Sequence, residues 1–183
     1  MSTTATAAPV GTWNIDGSHS NVNFQAKHLG IATVRGAFTK FEGTLELGED
    51  LSTSKAYGTV EVASVDTNED ARDEHLRSAD FFDAEQFPQI TFQSTEIKSV
   101  DDDELEITGD LSIHGVSNPI TLKAELAGTE EDPWGNQRVG LEVEGKLDRK
   151  DYGMTFNQAL GSGNVLVSDK IKLSLDISAV KAA

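Results

Sequence analysis

Residues suited to metal binding or covalent catalysis are few in this chain, which has four histidines and no cysteine. The lack of cysteine excludes thiolate metal sites, redox dithiols and cysteine nucleophiles. A metal site would need several histidines converging with carboxylates. No two histidines stand two apart in an alternating segment or four apart in a helical one. The sequence contains no local pair of metal ligands, and we expect neither a metal nor a cofactor.

His28 is the histidine whose position best fits a binding site. It shares the apolar phase of Val22 and Phe24 in an alternating segment, so we predict that its imidazole points into the interior. There it would meet the polar end of a ligand or bond to a neighbouring backbone group, which is the commoner role of a buried histidine. The other three histidines lie in predicted turns or on an exposed helix face.

Signatures of other catalytic classes are not found in the sequence. No Gly-x-Ser-x-Gly turn is present, and Gly161-Ser162-Gly163 has only the pattern of a flexible loop. No glycine-rich loop followed by lysine opens a helix to hold a phosphate. Neighbouring carboxylates are common in the sequence, but in so acidic a chain their proximity does not indicate a catalytic pair. No catalytic residue is therefore predicted.

A cluster of phenylalanines stands out between Asp80 and Ile90. Phe81, Phe82 and Phe87 lie among acidic residues there, directly after a predicted helix. The rings either anchor the helix over the open end of a sheet, filling a layer of the core, or form a lid on an apolar cavity. The sequence leaves both interpretations open.

Most of the chain alternates between apolar and polar residues with period two, which is typical of half-buried β-strands. Between Val34 and Leu47 the apolar phase shifts, and we predict a bulge or bend near Thr39 and Lys40. The other clear alternating runs start at His19, Leu105, Ile120, Val139 and Ile171.

One segment, Asn68 to Ala79, has a helical pattern instead, with Thr67 or Asn68 as its N-cap. We count roughly eight strands and one short helix, which predicts an all-β fold. Period two fits a sandwich or a barrel, but the long strands and the phase shift favour a curved sheet closed on itself. We predict an antiparallel eight-stranded β-barrel with the helix covering one end, whose interior holds side chains or one small ligand.

The length of 183 residues suits one domain, which we place at residues 11–183, after a flexible N-terminal tail at residues 1–10. The 31 acidic and 15 basic residues give a net charge of −16, which argues against nucleic acid as a partner. We expect this charge to form an acidic shell that anionic membranes repel. No run is long enough for stable membrane insertion.

Residues 1–9 have neither the basic residues nor the apolar run of a secretory signal, so a cytoplasmic location is expected. An uncovered barrel face would also allow a homodimer, although no residue requires one.

A series of motifs runs from Trp13 to about Val180. They are Trp13-Asn14-Ile15-Asp16, Val34-Arg35-Gly36-Ala37-Phe38, Arg72-Asp73-Glu74-His75-Leu76, Phe81-Phe82-Asp83-Ala84, Gly109 to Val116, Asp148 to Gly153, and Val167-Ser168-Asp169. In this order and spacing the chain resembles the YceI-like family of lipocalin-like, polyisoprenoid-binding barrel proteins. The resemblance implies a long apolar tunnel for a polyprenyl chain, such as an isoprenoid quinone or a polyprenyl phosphate, or for another long lipid. Many members are periplasmic, whereas this sequence shows no signal peptide.

The residues expected to line the tunnel are those on the interior strand phases and in the phenylalanine cluster. They are Val22, Phe24, His28, Val34, Phe38, Phe41, Phe81, Phe82, Phe92, Leu111, Ile113, Leu122 and Leu126. The leading hypothesis is non-enzymatic storage or transport of a long isoprenoid or fatty lipid. One alternative is an enzyme acting on such a ligand with His28 or His19 as general base. Another is a small interaction protein with a filled core.

Overall fold

The computed structural model describes residues 9–182, so most of the predicted N-terminal tail lies outside the described residues. Eleven strands and one α-helix make up this part of the chain. They are β1 (Gly11–Ile15), β2 (Asn21–His28), β3 (Ala32–Phe38), β4 (Phe41–Leu47), β5 (Lys55–Glu61), β6 (Val65–Asp66), α1 (Asp70–Arg77), β7 (Gln89–Ser99), β8 (Glu104–Ile113), β9 (Val116–Glu131), β10 (Gln137–Asp148) and β11 (Lys170–Lys181).

The strands close into an antiparallel barrel. Pairing runs in the order β1, β4, β5, β7, β8, β9, β10, β11, and β11 returns to β1. β11 pairs with β1 through residues 179–181 and with β2 through residues 172–176, so β1 and β2 act as one bent strand. β3 with β4 and β5 with β6 continue one another in the same way. The prediction of an eight-stranded barrel with one helix is confirmed.

The predicted bend near Thr39 and Lys40 is confirmed, because β3 ends and β4 begins on either side of these residues. Their backbone groups remain paired across the break. The Thr39 amide donates to the Ser64 carbonyl at 3.3 Å, and the Lys40 carbonyl accepts from the Glu61 amide at 2.9 Å. The bend therefore redirects the strand while two backbone hydrogen bonds keep it joined to the wall.

Buried apolar side chains form two clusters inside the barrel. The first includes Trp13, Leu105, Val139 and Ala179, and fills what we call the packed end. The second is built on Leu111, Ile113, Ile120, Tyr152 and Met154, beneath the segments that cover the opposite end, which we call the lid end. The predicted alternation therefore buries one face of each strand along the barrel.

The helix is shorter than predicted, and its predicted cap is wrong. Glu69 is the N-cap, and its carboxylate accepts a hydrogen bond from the Ala71 amide at 3.3 Å. Thr67 instead donates from its amide to the buried carboxylate of Asp73 at 2.8 Å. The sequence pattern missed this arrangement because the cap candidates form a turn that Asp73 holds in place. Within residues 9–182 no helix is long and apolar enough to cross a membrane.

At the packed end, one arginine joins two turns. The guanidinium of Arg138 donates to Asp16 and to Asp132, each at 2.9 Å. Hydrogen bonds from Ser18, His19 and Arg138 hold the pKa of Asp16 well below its ordinary value of 3.8. The charged form of Asp16 therefore stabilises the junction between β1 and β2.

We expect the substitution Arg138→Met to lower the free energy of unfolding at neutral pH. The folded-state pKa of Asp16 is depressed, so its stabilising contribution is present above its ordinary pKa and is lost as the pH falls through the folded-state value. The loss caused by the substitution should therefore shrink below about pH 4. Urea unfolding at a series of pH values measures this. Lys123→Met, at an exposed lysine, is the control, and a loss in Arg138→Met that does not change with pH would contradict the account.

Candidate functional site

The barrel encloses a cavity of about 280 Å³ between the packed end and the lid end. The surface of this cavity is almost entirely apolar. Phe24, Phe92, Leu122, Leu173 and Leu175, from four different strands, are among its lining residues. Residues of both buried clusters line the open space, so the middle of the barrel has room for an apolar guest.

Three phenyl rings lie in a row along one side of the cavity. The ring centroids of Phe24 and Phe38 are 5.5 Å apart, and those of Phe38 and Phe82 are 5.7 Å apart in an edge-to-face arrangement. Phe24 and Phe82 are only half-buried, although both line the cavity. We call these three residues the aromatic row. A hydrocarbon in the cavity would lie against it.

Glycines in the wall make room for the large side chains that line the cavity. Gly36 lies directly opposite Phe24 in the sheet, and a methyl group at Gly36 would overlap the phenyl ring. A side chain at Gly109 would overlap the ring of Phe92 in the same manner. These strand glycines therefore allow close packing of rings on the inner surface.

The segment after α1 closes the lid end. The amides of Phe82 and Ala84 donate to the carbonyls of Leu76 and Arg77, which turns the chain back over the barrel. The buried ring of Phe81 contacts Phe156 with a centroid distance of 5.2 Å. Phe81 and Phe82 both cover the opening and line the cavity. These two rings therefore fill a layer of the core and also form a lid over the cavity.

Arg149 holds the second covering segment, residues 154–168, against the lid end. Its buried guanidinium donates to three backbone carbonyls: to Ser168 at 2.9 Å, to Met154 at 2.8 Å and to Val167 at 3.3 Å. Burial lowers the pKa of Arg149, but the side chain remains charged at neutral pH. Its charge partner is Asp169, with Nη2 and Oδ1 3.6 Å apart. Arg149 lines the cavity, but its donors are used to fix the chain.

Ten of the thirteen residues predicted to line a tunnel do line the cavity. They are Val22, Phe24, Phe38, Phe41, Phe81, Phe82, Phe92, Leu111, Ile113 and Leu122. Contact between these side chains and a ligand stays a prediction.

Three of the predicted residues lie elsewhere. The predicted interior position of His28 is wrong: its side chain is exposed, because β2 has passed the barrel rim where this residue bridges to Val167. Val34 is half-buried beside the same rim, outside the cavity lining. Leu126 packs against the cluster at the packed end.

Sequence reasoning missed many of the lining residues, and two groups of them show why. The inner faces of β10 and β11 contribute Leu141, Val143, Leu147, Ile171, Leu173, Leu175 and Ile177, whose period-two pattern was a sufficient signal. Met154 and Val167 come from an irregular segment with no periodicity, so the sequence held no signal for them. Among residues 9–182 no group of three histidine or carboxylate side chains is placed to hold a metal ion.

An antiparallel eight-stranded barrel around an apolar cavity defines the protein as a lipocalin-like barrel. The model of the YceI-like domain matches residues 13–179, and the chain belongs to this family. It is 46% identical over 153 residues to Protein YceI of Escherichia coli, which covers 82% of this chain and 80% of the relative.

Solved structures share the fold. The YCEI protein of Campylobacter jejuni has 31% identity and a TM-score of 0.74, covering 86% of this chain and 90% of that protein. A polyisoprenoid binding domain from Saccharophagus degradans, implicated in plant cell wall breakdown, has 14% identity and a TM-score of 0.68. The match covers 95% of this chain and all of that domain.

Arg149→Met should lower the free energy of unfolding by about 3–5 kcal/mol, because it leaves three carbonyls without their donor and removes the buried cation beside Asp169. Cleavage by a protease within residues 154–168 should become faster. Urea unfolding and limited proteolysis measure the two effects. Lys150→Met is the control, since this exposed lysine pairs with Asp169 at 3.0 Å and contributes about 0–1 kcal/mol. Equal effects of the two substitutions would show that Arg149 has no special role.

Proposed function

We propose that the protein binds the hydrocarbon chain of a polyisoprenoid or a similar long lipid in the barrel cavity. The observation that carries this proposal is the apolar cavity inside the barrel, lined from strands all around it. The structural neighbour from Saccharophagus degradans, described as a polyisoprenoid binding domain, supports the same ligand class.

The apolar lining favours a ligand held by its chain rather than by its head group. Drug-sized ligands gain about 0.3 kcal/mol per heavy atom, so a chain of roughly 20 carbons gains about 6 kcal/mol, a Kd of tens of micromolar. A chain of about 40 carbons reaches the nanomolar range on the same scale. We therefore propose that the longer isoprenoids, such as quinone side chains and polyprenyl phosphates, are the natural class.

The size of the cavity bears on how such a chain enters. About 280 Å³ is slightly below the usual range of ligand pockets, about 300–1,000 Å³. A long chain therefore needs the lining side chains to move. The half-buried rings of Phe24 and Phe82 are the candidates for this movement, because both face the open space of the cavity. We propose that the aromatic row separates when the chain enters.

The role that we propose is storage or transport without chemical change. The enzyme alternative depended on His28 or His19 as general base, and both side chains are exposed outside the cavity. The cytoplasmic location and the homodimer stay predictions from the sequence.

Two leucines of β9 provide a matched test of the cavity as the binding site. Leu122 lines the cavity, whereas Leu126 is equally half-buried but packs toward the other end. Leu122→Gln should weaken binding of a long polyprenyl alcohol about tenfold, because an unpaired amide against hydrocarbon costs about 1–3 kcal/mol. Leu126→Gln should leave the Kd within about twofold, because Leu126 lies outside the cavity lining and substitutions at separate sites have little effect on one another.

A titration of each purified, folded variant with the polyprenyl alcohol gives the two dissociation constants. Equal Kd values for the Leu122 and Leu126 variants would place the binding site outside this cavity. Recovery of the added polyprenol unchanged after extraction supports a carrier, whereas a modified product would favour the enzyme.

A further inference from the structure

The lid end carries an unusual surface without charge. Residues 154–168 contain no Asp, Glu, Lys or Arg, and neither do residues 28–34, which span the end of β2, the following turn and the start of β3. The whole chain has 25% charged residues, so two adjoining segments with none are a marked departure. We call this pair of segments the uncharged tip.

The two segments of the tip are joined by hydrogen bonds. The Leu29 amide donates to the Leu166 carbonyl at 3.0 Å, and the side chain of Asn164 donates to the Leu29 carbonyl at 3.3 Å. The amide of Lys27 donates to the hydroxyl of Ser168 at 2.9 Å. The tip is therefore one surface, and Arg149 fixes its base through the carbonyls described above.

Apolar side chains of the tip face solvent directly above the cavity. Ile31 is 80% exposed and Val165 is 39% exposed. Val167 and Met154, in the same covering segment, line the cavity below. An apolar surface and the apolar interior thus adjoin at this end of the barrel.

A basic wall borders the tip. The register places Lys146 opposite Lys172, Lys172 opposite Gln25, and Gln25 opposite Arg35, so one row across β10, β11, β2 and β3 carries three cations. Lys170 and Lys27 lie one pleat nearer the tip on the same outer face. All five of these side chains are exposed.

Carboxylates leave most of this wall unneutralised. Asp148 pairs with Lys170 at 3.2 Å, but within residues 9–182 no carboxylate lies within 4 Å of the terminal nitrogens of Lys27, Arg35, Lys146 or Lys172. Apart from Asp148, the acidic residues of β10 and β11, namely Glu142, Glu144 and Asp176, lie farther from the tip.

The charge on the exterior is therefore polarised, and the expected acidic shell does not extend over this wall. Charges more than about 8 Å apart are largely screened at physiological salt, so the sign of the local charge governs docking more than the net charge of −16 does. An exposed apolar tip beside a basic wall matches an anionic lipid surface, where acyl chains lie beneath phosphate groups.

We propose that the protein docks reversibly on anionic lipid bilayers through the uncharged tip and the basic wall. The lid end then faces the bilayer, with Ile31 and Val165 in the interface and the row of cations over the lipid phosphates. α1 packs beside β6, and the acidic residues of this helix lie on that side of the lid end. Docking is therefore tilted toward the wall formed by β10, β11, β2 and β3. This inference concerns the surface, and it does not depend on which molecule the cavity holds.

Flotation of the full-length protein with vesicles tests the basic wall. We expect binding to vesicles of phosphatidylcholine mixed with phosphatidylglycerol, and much weaker binding to phosphatidylcholine alone. The double substitution Lys146→Glu with Lys172→Glu should reduce binding about tenfold or more. Lys55→Glu with Lys98→Glu is the control, because it makes the same change in net charge with exposed lysines on the opposite wall.

A second pair of substitutions tests the tip. Ile31→Ser should reduce vesicle binding severalfold, whereas Trp134→Ser should not, although Trp134 is 82% exposed in the turn at the other end of β10. The four lysines substituted in the wall variant and in its control are all exposed. Circular dichroism should therefore show that both variants fold normally.

Failure of the unsubstituted protein to float with anionic vesicles would overturn the proposal, as would equal losses in the wall and control variants. If Ile31→Ser changed self-association by size exclusion while vesicle binding were absent, the tip would be a protein interface instead. Polyprenol affinity measured without vesicles is a separate readout, so failure of lipid docking and failure of cavity binding are distinguishable.

Discussion

Closure of the barrel depends on β11, a strand of 12 residues that pairs with β10 along its whole length and with β1 and β2 on its other side. Because β1 and β2 meet this one strand in succession, the wall bends between them while remaining hydrogen-bonded. The bend between β3 and β4 follows on the next strand. The interior holds two apolar clusters, one toward each end, and residues of both line the cavity between them.

The two ends of the barrel are stabilised by different interactions. At the packed end, Arg138 joins Asp16 and Asp132 on the surface, above a core of apolar side chains. At the lid end, Arg149 is buried and donates mainly to backbone carbonyls, which are fixed acceptors in an irregular segment. The packed end is thus closed by its own side chains, whereas an irregular segment, residues 154–168, covers the lid end. The lid end combines a cavity with covering segments that a few polar contacts hold, which is the arrangement that entry of a ligand requires.

How far the sequence predicted the structure differs between strands and loops. Period-two alternation predicted the strands and part of the cavity lining, because in a closed sheet each alternate residue must face inward. The length of the strands and the shift of the apolar phase near Thr39 then favoured a barrel over a sandwich and located the bend. The same rule failed at His28, since the phase of a strand says nothing about where the barrel rim ends. The role of Arg149 could not be predicted, because its acceptors are backbone carbonyls up to 19 residues away, and such acceptors leave no trace in side-chain pattern.

Native mass spectrometry of the freshly purified protein tests the central claim, that the open half of the barrel is a binding site for a long apolar lipid. The account predicts a folded protein carrying one added mass that organic extraction releases as an intact lipid with a long hydrocarbon chain. After removal of this lipid, the protein should take up a polyprenyl alcohol in a one-to-one complex. A well-folded protein that carries no lipid and takes up no polyprenol would contradict the account.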